Sequence, residues 1–118
     1  MSKSLKFISA KDFFKKHTKG LEKLHIIDLR TDAEVAIEHL SECGYFPLQT
    51  LDQGEVKQYL QRQRRQTEEP VYFLCAKGPR AELAAEQLKN YIAGDLIVIK
   101  GGLGALKELG ITVIQNSA

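Results

Sequence analysis

The chain has 118 residues, a net charge of +2 and two cysteines, Cys43 and Cys75. This length is enough for one domain with its own core, and no repeat or linker-like segment divides residues 1–118. The small charge does not favour nucleic acid as a partner, and two cysteines do not make the disulfide framework of a secreted mini-protein. No stretch approaches the roughly 20 apolar residues of a membrane span. We therefore expect a soluble, cytoplasmic protein with neither a membrane nor a nucleic-acid partner.

The first third of the sequence predicts a short helix and then a strand. Ser9, followed by Asp12, has the form of a capping box, in which a side-chain oxygen accepts a hydrogen bond from the backbone N–H three residues on. The helix should end before Gly20. Residues 24–29 form the next apolar run and predict a central strand, with His25 at its rim.

A polar cluster follows this strand. Thr31 and Glu34 form a second capping box, which predicts a short helix through about Ile37. Asp28 ends the strand among apolar neighbours, so its carboxylate needs partners, and the backbone amides and Arg30 are the nearest candidates. Arg30 also lies four residues before Glu34 and is predicted to pair with it. We interpret these three charged residues as structural support for the strand end; direct contact with a substrate is the alternative.

Residues 38–66 give weaker signals. Residues 38–48 predict a turn with a short strand near its end, which Pro47 stops. A helix follows, marked by apolar residues at helical spacing: Val56, Tyr59 and Leu60. Its basic continuation, residues 61–66, is typical of a solvated helix end, although an acidic partner or RNA would use the same charges.

The most informative stretch is an apolar run that leads into a cysteine and a polar turn. Residues 71–74 lack the alternation of a half-buried strand and predict a strand covered on both faces. An amphipathic helix begins at or just after Arg80, marked by residues at helical spacing: Ala81, Ala84, Ala85, Leu88, Tyr91 and Ile92. Cys75 therefore lies between the carboxyl end of a strand and the amino end of a helix.

This position gives Cys75 a chemical interpretation. The unpaired N–H groups and the positive dipole end of a helix N-terminus, together with Lys77 and Arg80, favour a nucleophilic thiolate. The turn can also curl its amides around an anion. We therefore expect an anionic substrate to bind the residues of the turn: Ala76, Lys77, Gly78, Pro79, Arg80 and Ala81. Pro79 has no N–H and offers no amide donor. The alternative is a buried cysteine that only completes the core.

The last part of the chain returns to the sheet. Residues 96–99 predict a third apolar strand, and the paired glycines at 101–102 permit a sharp reversal and a close approach of backbone. Residues 103–109 predict a last helix, and residues 111–114 a final strand. Strands that alternate with helices indicate an α/β fold with a central, mostly parallel β-sheet flanked by helices on both faces. Ligands of such sheets bind beyond the carboxyl ends of the strands, where Cys75 would lie.

Three motifs in register make the chain resemble the single-domain rhodaneses, the thiosulfate sulfurtransferase-like family, over nearly its whole length. Residues 28–30 (Asp-Leu-Arg), with Glu34 and residues 39–40 (His-Leu), are similar to the family pattern D-x-R-x-x-x-E-x-x-x-G-H-I. Residues 75–80 are similar to its C-x-x-G-x-R loop, and the spacing from Leu88 to the paired glycines is similar to its terminal motif. Three matches together are specific, whereas any one alone is weak.

The chain departs from the family pattern at three places. Glu38 stands where glycine is usual, Leu106 where tryptophan is common, and Ala76 where some thiosulfate-using members have arginine. These departures concern packing or substrate preference rather than the nucleophile.

The resemblance implies a rhodanese-like fold and a sulfurtransferase. Cys75 would attack the sulfane sulfur of thiosulfate or a similar small anion and become a persulfide. It would then pass the sulfur to cyanide or to a thiol acceptor, which a protein could also carry. No cofactor is implied, and no cluster of cysteine and histidine has the spacing of a metal site.

Other functions stay open. Cell-cycle phosphatases and arsenate reductases of related fold have arginine sixth after the cysteine, whereas Arg80 is fifth, which makes the loop too tight for a phosphate. A persulfide carrier or a non-catalytic protein-interaction module would share the fold. Cys43 could resolve the Cys75 persulfide as a disulfide, although its match to a small-residue position of the family pattern favours a structural role.

Overall fold

The structure is a computed structural model and describes residues 5–17, 21, 23–77 and 79–115. Among these residues it contains seven strands, five α-helices and one 3₁₀ turn, which covers Leu48–Thr50. The strands are β1 (Lys6–Ser9), β2 (His25–Asp28), β3 (Glu38–His39), β4 (Gly44–Tyr45), β5 (Val71–Leu74), β6 (Leu96–Lys100) and β7 (Ile114–Gln115). The helices are α1 (Ala10–Lys16), α2 (Asp32–Ile37), α3 (Gln53–Arg62), α4 (Pro79–Leu88) and α5 (Gly102–Glu108).

Five strands form one parallel sheet in the order β1-β6-β5-β2-β4. The strand that precedes Cys75, β5, lies between β6 and β2, with Phe73 level with Ile27 on one side and Val98 on the other. All four residues of β5 are buried, which confirms the prediction of a strand covered on both faces. Cys75 is therefore carried to the middle of the carboxyl edge of the sheet.

Apolar residues alternate along β5 between two cores, one on each face of the sheet. The first core contains Val71, Phe73 and Cys75 and is covered by α3 and α4, whose small inner residues allow close packing: Ala81, Ala84 and Ala85. The second core contains Tyr72 and Leu74 and is covered by α1 and α5. Burial of each large apolar side chain stabilises the fold by about 1.5–3 kcal/mol. Helices on both faces of the sheet confirm the predicted architecture.

Helix starts follow the predicted capping residues. The Ser9 hydroxyl accepts a hydrogen bond from the Asp12 N–H at 3.0 Å and begins α1. Thr31 and Glu34 make both bonds of the capping box at the start of α2. These caps fix where each helix leaves the sheet, and the second one fixes the direction of the Glu34 side chain.

Two element predictions are wrong in detail. The final strand covers residues 114–115 rather than 111–114 and pairs antiparallel with β3, outside the main sheet. Its pairing is limited to two positions because β3 has only two residues. Helix α4 ends at Leu88, before the last apolar residues assigned to it.

His25 is the first residue of β2 and lies at the end of the strand, as predicted. It is buried there and hydrogen bonds Glu69 at 3.2 Å.

In the part of the chain that the structure describes, no helix is both long enough and apolar enough to cross a membrane.

Candidate active site

Cys75 follows β5 directly and lies four residues before the first residue of α4, as predicted. The residue is completely buried and belongs to the core under α4. Its position agrees with the nucleophile interpretation, whereas its burial is what the core-cysteine alternative expected. The contacts around Cys75 show which residues fix the position of this loop.

The loop after Cys75 is held by the first turn of α5, which the paired glycines Gly101 and Gly102 begin. The Leu103 N–H donates to the Cys75 carbonyl at 2.8 Å, and the Gly104 N–H donates to the Ala76 carbonyl at 3.2 Å. Gly102 has a φ of +60°, and a Cβ atom at this position would lie 2.2 Å from the Cys75 carbonyl oxygen. Only glycine fits there, for reasons of both backbone conformation and space. The predicted close approach of backbone therefore exists, and its partner is the cysteine loop.

A buried ion pair fixes the end of the neighbouring strand β2. Asp28 is fully buried and Arg30 is 3% exposed. The Arg30 N–H and Nε donate to Asp28 Oδ1 at 3.0 and 3.1 Å, and Nη2 donates to Oδ2 at 2.9 Å. Nη2 also donates to the Glu38 carbonyl at 3.0 Å, and the Leu29 N–H donates to the Leu74 carbonyl at 2.8 Å. The predicted partners of Asp28 are confirmed. The separate bond from Leu29 ties the end of β2 to Leu74, the residue before Cys75.

The predicted pair between Arg30 and Glu34 is wrong. Arg30 uses its guanidinium on Asp28, and Glu34 instead accepts from Arg80 Nη1 at 2.6 Å and from Nη2 at 3.0 Å. The hydrogen bonds from Arg80 and from Thr31 lower the pKa of Glu34 from 4.5 to about 2. Two parallel bonds between guanidinium and carboxylate also orient both groups. This pair joins α2 to the first turn of α4.

The predicted substrate-binding residues occupy different environments. Arg80 binds Glu34, while its pKa is raised mainly by that carboxylate and less by the nearby Cys75. Lys77 and Pro79 are exposed, Ala76 is partly buried, and Ala81 is buried in the core under α4. Gly78 lies outside the described residues. The described residues of this set therefore lie close together in the chain, but only some of their side chains are accessible to solvent, and that of Ala81 is not.

A cleft of about 290 Å³ lies beside this turn. Ala76 and Lys77 line it from the cysteine loop, and Leu103 and Lys107 line it from α5. Ile37, at the end of α2, is 67% exposed and contributes an apolar wall. The sequence interpretation identified the loop side of this cleft and two of its charged residues, Arg30 and Glu34, but not the side formed by α5.

An ion pair in the same cleft was not predicted. Lys107 Nζ donates to Glu38 Oε1 at 2.5 Å, and both residues line the cleft. One feature of the sequence could have indicated this ion pair. Glu38 is charged, whereas the family pattern that the chain resembles usually has glycine at this position. Its partner, 69 positions further along the chain, could not be found from spacing.

Cys43 is separated from Cys75 by the sheet. Cys43 packs against the core under α1 and α5, whereas Cys75 belongs to the core under α4. Burial raises the pKa of the Cys43 thiol far above its ordinary value, and the Asp28 carboxylate raises it further. These features favour the structural role of Cys43 over a redox role.

Among the described residues, no three His, Cys, Asp or Glu side chains are grouped so that they could hold a metal ion.

Comparisons with known proteins identify the class to which this fold and cysteine loop belong. The rhodanese-like domain profile matches residues 10–109, and the chain therefore belongs to the rhodanese-like domain family. This membership indicates a function related to sulfur transfer, in a family that also includes non-catalytic domains. No protein with a curated description matches the chain.

Solved structures give the same fold. A rhodanese-like domain protein from Staphylococcus aureus is 26% identical with a TM-score of 0.66, and the match covers 86% of this chain and 91% of that one. The rhodanese-like domain of an Anabaena protein is 16% identical with a TM-score of 0.71, covering 96% and 80%. A Rhodopseudomonas palustris protein of unknown function, described as a possible tyrosine phosphatase, is 18% identical with a TM-score of 0.72, covering 93% and 85%. At these identities the last two support the fold alone.

Proposed function

We propose that this protein is a sulfurtransferase that moves a sulfane sulfur through a persulfide on Cys75. The Cys75 thiolate attacks the outer sulfur of thiosulfate or a related donor, a new S–S bond forms, and the electron pair of the old S–S bond leaves with sulfite. The terminal sulfur then passes to cyanide or to a thiol, and the thiolate returns. The observation that carries this proposal is a cysteine at the middle of the carboxyl edge, in front of α4.

The turn after Cys75 supports this chemistry through charge and backbone donors. The carbonyls of Cys75 and Ala76 are bound to α5. These two acceptors are therefore occupied, and the start of the ten-residue helix α4 adds positive dipole potential that favours an anion. In the proposed role, Lys77 and the amides of Ala76, Gly78, Arg80 and Ala81 bind the donor and the departing sulfite.

Access to the sulfur atom requires movement of the turn. Cys75 is covered in the described conformation, so a donor cannot reach it without a displacement of residues around it. The backbone is anchored at the carbonyls of Cys75 and Ala76. We therefore assign the opening to Lys77, the exposed residue that follows these anchored positions. Lid motions of this kind are common steps in enzyme turnover.

Turnover with thiosulfate and cyanide tests the proposal. Wild type should release sulfite and thiocyanate in equal amounts, Cys75→Ser should have no activity, and Cys43→Ser should retain it. Lys77→Ala should raise the KM for thiosulfate more than it lowers kcat, because Lys77 acts on anion binding. Equal activity of wild type and Cys75→Ser would refute the proposal.

The alternatives are a persulfide carrier and a non-catalytic interaction module. The complete burial of Cys75 is the observation that favours the module. A carrier would form the persulfide once without turning over small acceptors, and a pure interaction module would form none. Phosphatase activity has less support, since Arg80 is fifth after the cysteine and its guanidinium is bound to Glu34. Hydrolysis of an aryl phosphate would show otherwise.

A further inference from the structure

The cleft that Ala76 and Lys77 line, directly after Cys75 in the chain, contains charges that mostly neutralise one another. Arg30 is bound to Asp28, and Glu34 is bound to Arg80. Lys107 is bound to Glu38. Among the described residues, the remaining cation of the cleft is Lys77, for which no carboxylate lies within ion-pair distance. The cleft therefore offers about one unbalanced positive charge to a ligand.

Glu38 is the residue that creates this balance. Its side chain is 19% exposed, and its carboxylate also interacts with the side chain of Gln115. Its backbone pairs with Gln115 between β3 and β7, and its carbonyl accepts from Arg30. The carboxylate is thus held over Lys107 by contacts on both sides. Lys107 is 41% exposed at the end of α5, the helix whose first residues bind the cysteine loop.

We propose that Glu38 tunes donor specificity: by neutralising Lys107 in the cleft, it lowers the preference of the site for the thiosulfate dianion relative to singly charged sulfane-sulfur donors. This inference rests on the proposed sulfur transfer. The physical reason is that the free energy of a charge–charge interaction scales with the charge of the ligand, so a carboxylate in the cleft opposes a dianion twice as strongly as a monoanion. Glycine, which is usual at this position in the family pattern, would leave Lys107 unneutralised.

An aryl thiosulfonate provides the matched donor. The Cys75 thiolate would attack its terminal sulfur, the S–S bond would break, and an aryl sulfinate would leave with the electron pair. This reaction gives the same persulfide as thiosulfate does, but the donor and the leaving group each carry one negative charge fewer. The ratio of kcat/KM for the two donors therefore reports the charge of the cleft rather than the reactivity of Cys75.

The expected effects follow from this scaling. At low ionic strength, Glu38→Gln should raise kcat/KM about fivefold for thiosulfate and about twofold for the thiosulfonate, mainly through KM. Lys107→Met should lower kcat/KM by similar factors, about fivefold for thiosulfate and about twofold for the thiosulfonate. The double variant should return the ratio to within about twofold of wild type, since neither charge is then present. The difference in kcat/KM between each of these three variants and wild type should become smaller in high salt.

A matched control removes a carboxylate elsewhere. Asp95 pairs with Lys6 at 3.0 Å at the amino ends of β6 and β1, away from the cleft, and Asp95→Asn should leave the donor ratio unchanged. A Glu38→Gln variant with an unchanged ratio would overturn the inference, as would an equal loss with both donors and a lower melting temperature, which would mean that Glu38 only holds β3 in place. Absence of Cys75 persulfide with either donor, in wild type as well, would instead overturn sulfur transfer itself and this inference with it.

Discussion

Two ion pairs, one at each edge of the sheet, differ in how deeply they are buried. At the carboxyl edge, Asp28 and Arg30 form an ion pair that is almost completely buried. At the amino edge, Lys6 and Asp95 form an ion pair whose side chains are 61% and 51% exposed. A buried pair has a large desolvation penalty and depends on every hydrogen bond around it, whereas an exposed pair is screened by water. Of these two ion pairs, the one with the larger desolvation penalty lies at the edge that carries Cys75.

Two glycines with positive φ differ in what surrounds them. The Cys75 carbonyl oxygen lies 2.2 Å from the position of a Cβ atom on Gly102, whereas no atom of the described residues lies within 4 Å of that position on Gly110. Gly102 is therefore constrained by the cysteine loop, and Gly110 is not. We infer that a substitution at Gly102 acts on the loop geometry, while the same substitution at Gly110 acts on stability alone.

The largest effect is expected for Gly102→Ala. Its Cβ atom would overlap the Cys75 and Ala76 carbonyls, so the loop must move, and displacement of a reacting group by about 1 Å can lower a rate roughly a hundredfold. Gly110→Ala has the same type of backbone strain, about 1–2 kcal/mol, without the overlap. Sulfur-transfer rates of the two variants, measured where both are folded, should differ by that factor. Similar rates would mean that the loop tolerates the displacement.

The second effect concerns the buried ion pair. Arg30→Met leaves the Asp28 carboxylate buried without its cation and should lower the free energy of unfolding by about 3–5 kcal/mol. Lys6→Met breaks the exposed pair and should lower it by less than about 1 kcal/mol. Urea denaturation of both variants gives the comparison directly. If both variants lost the same free energy of unfolding, the buried pair would contribute no more to stability than the exposed pair.

The smallest effect concerns the partly exposed pair of Glu34 and Arg80. The pKa of Glu34 is lowered from 4.5 to about 2 by Arg80, so the unfolded chain takes up a proton before the folded one does. The stabilisation is therefore complete above about pH 4.5 and lost as the pH falls toward 2. Glu34→Gln keeps a capping-box side chain and should remove this dependence, which is worth about 1 kcal/mol or less for a pair this exposed.

Unfolding by urea between pH 2 and 6 measures this effect. The variant should lose less stability than wild type over this range. A wild-type curve parallel to that of Glu34→Gln would show that the pair with Arg80 contributes nothing to stability.

Local patterns predicted much of the fold and only part of the site. The unbroken apolar run of β5, the N-cap at Ser9 and the capping box at Thr31 depend on neighbours in sequence, and they were confirmed. At Ser9 only one of the two bonds of the predicted capping box is present. The partner of Glu34 was assigned wrongly because the candidate four residues away, Arg30, was already bound to Asp28.

Contacts between distant segments could not be predicted in this way. Glu34 and Arg80 lie 46 positions apart, and their meeting depends on how α2 and α4 pack on the sheet. The paired glycines signalled a close approach, yet the spacing gave no information about which loop they approach. The sequence analysis offered a buried Cys75 as an alternative, but which of the two interpretations holds depends on how the helices pack over the strand end.

The most direct test of sulfur transfer is the intact mass of the protein after treatment with thiosulfate, followed by peptide mapping. Wild type should gain one sulfur atom on Cys75 and lose it when cyanide is added, and Cys75→Ser should gain none. If folded, reduced wild type gained no sulfur from thiosulfate or from an aryl thiosulfonate, or if Cys75→Ser gained it equally, Cys75 would not be the sulfur-carrying nucleophile.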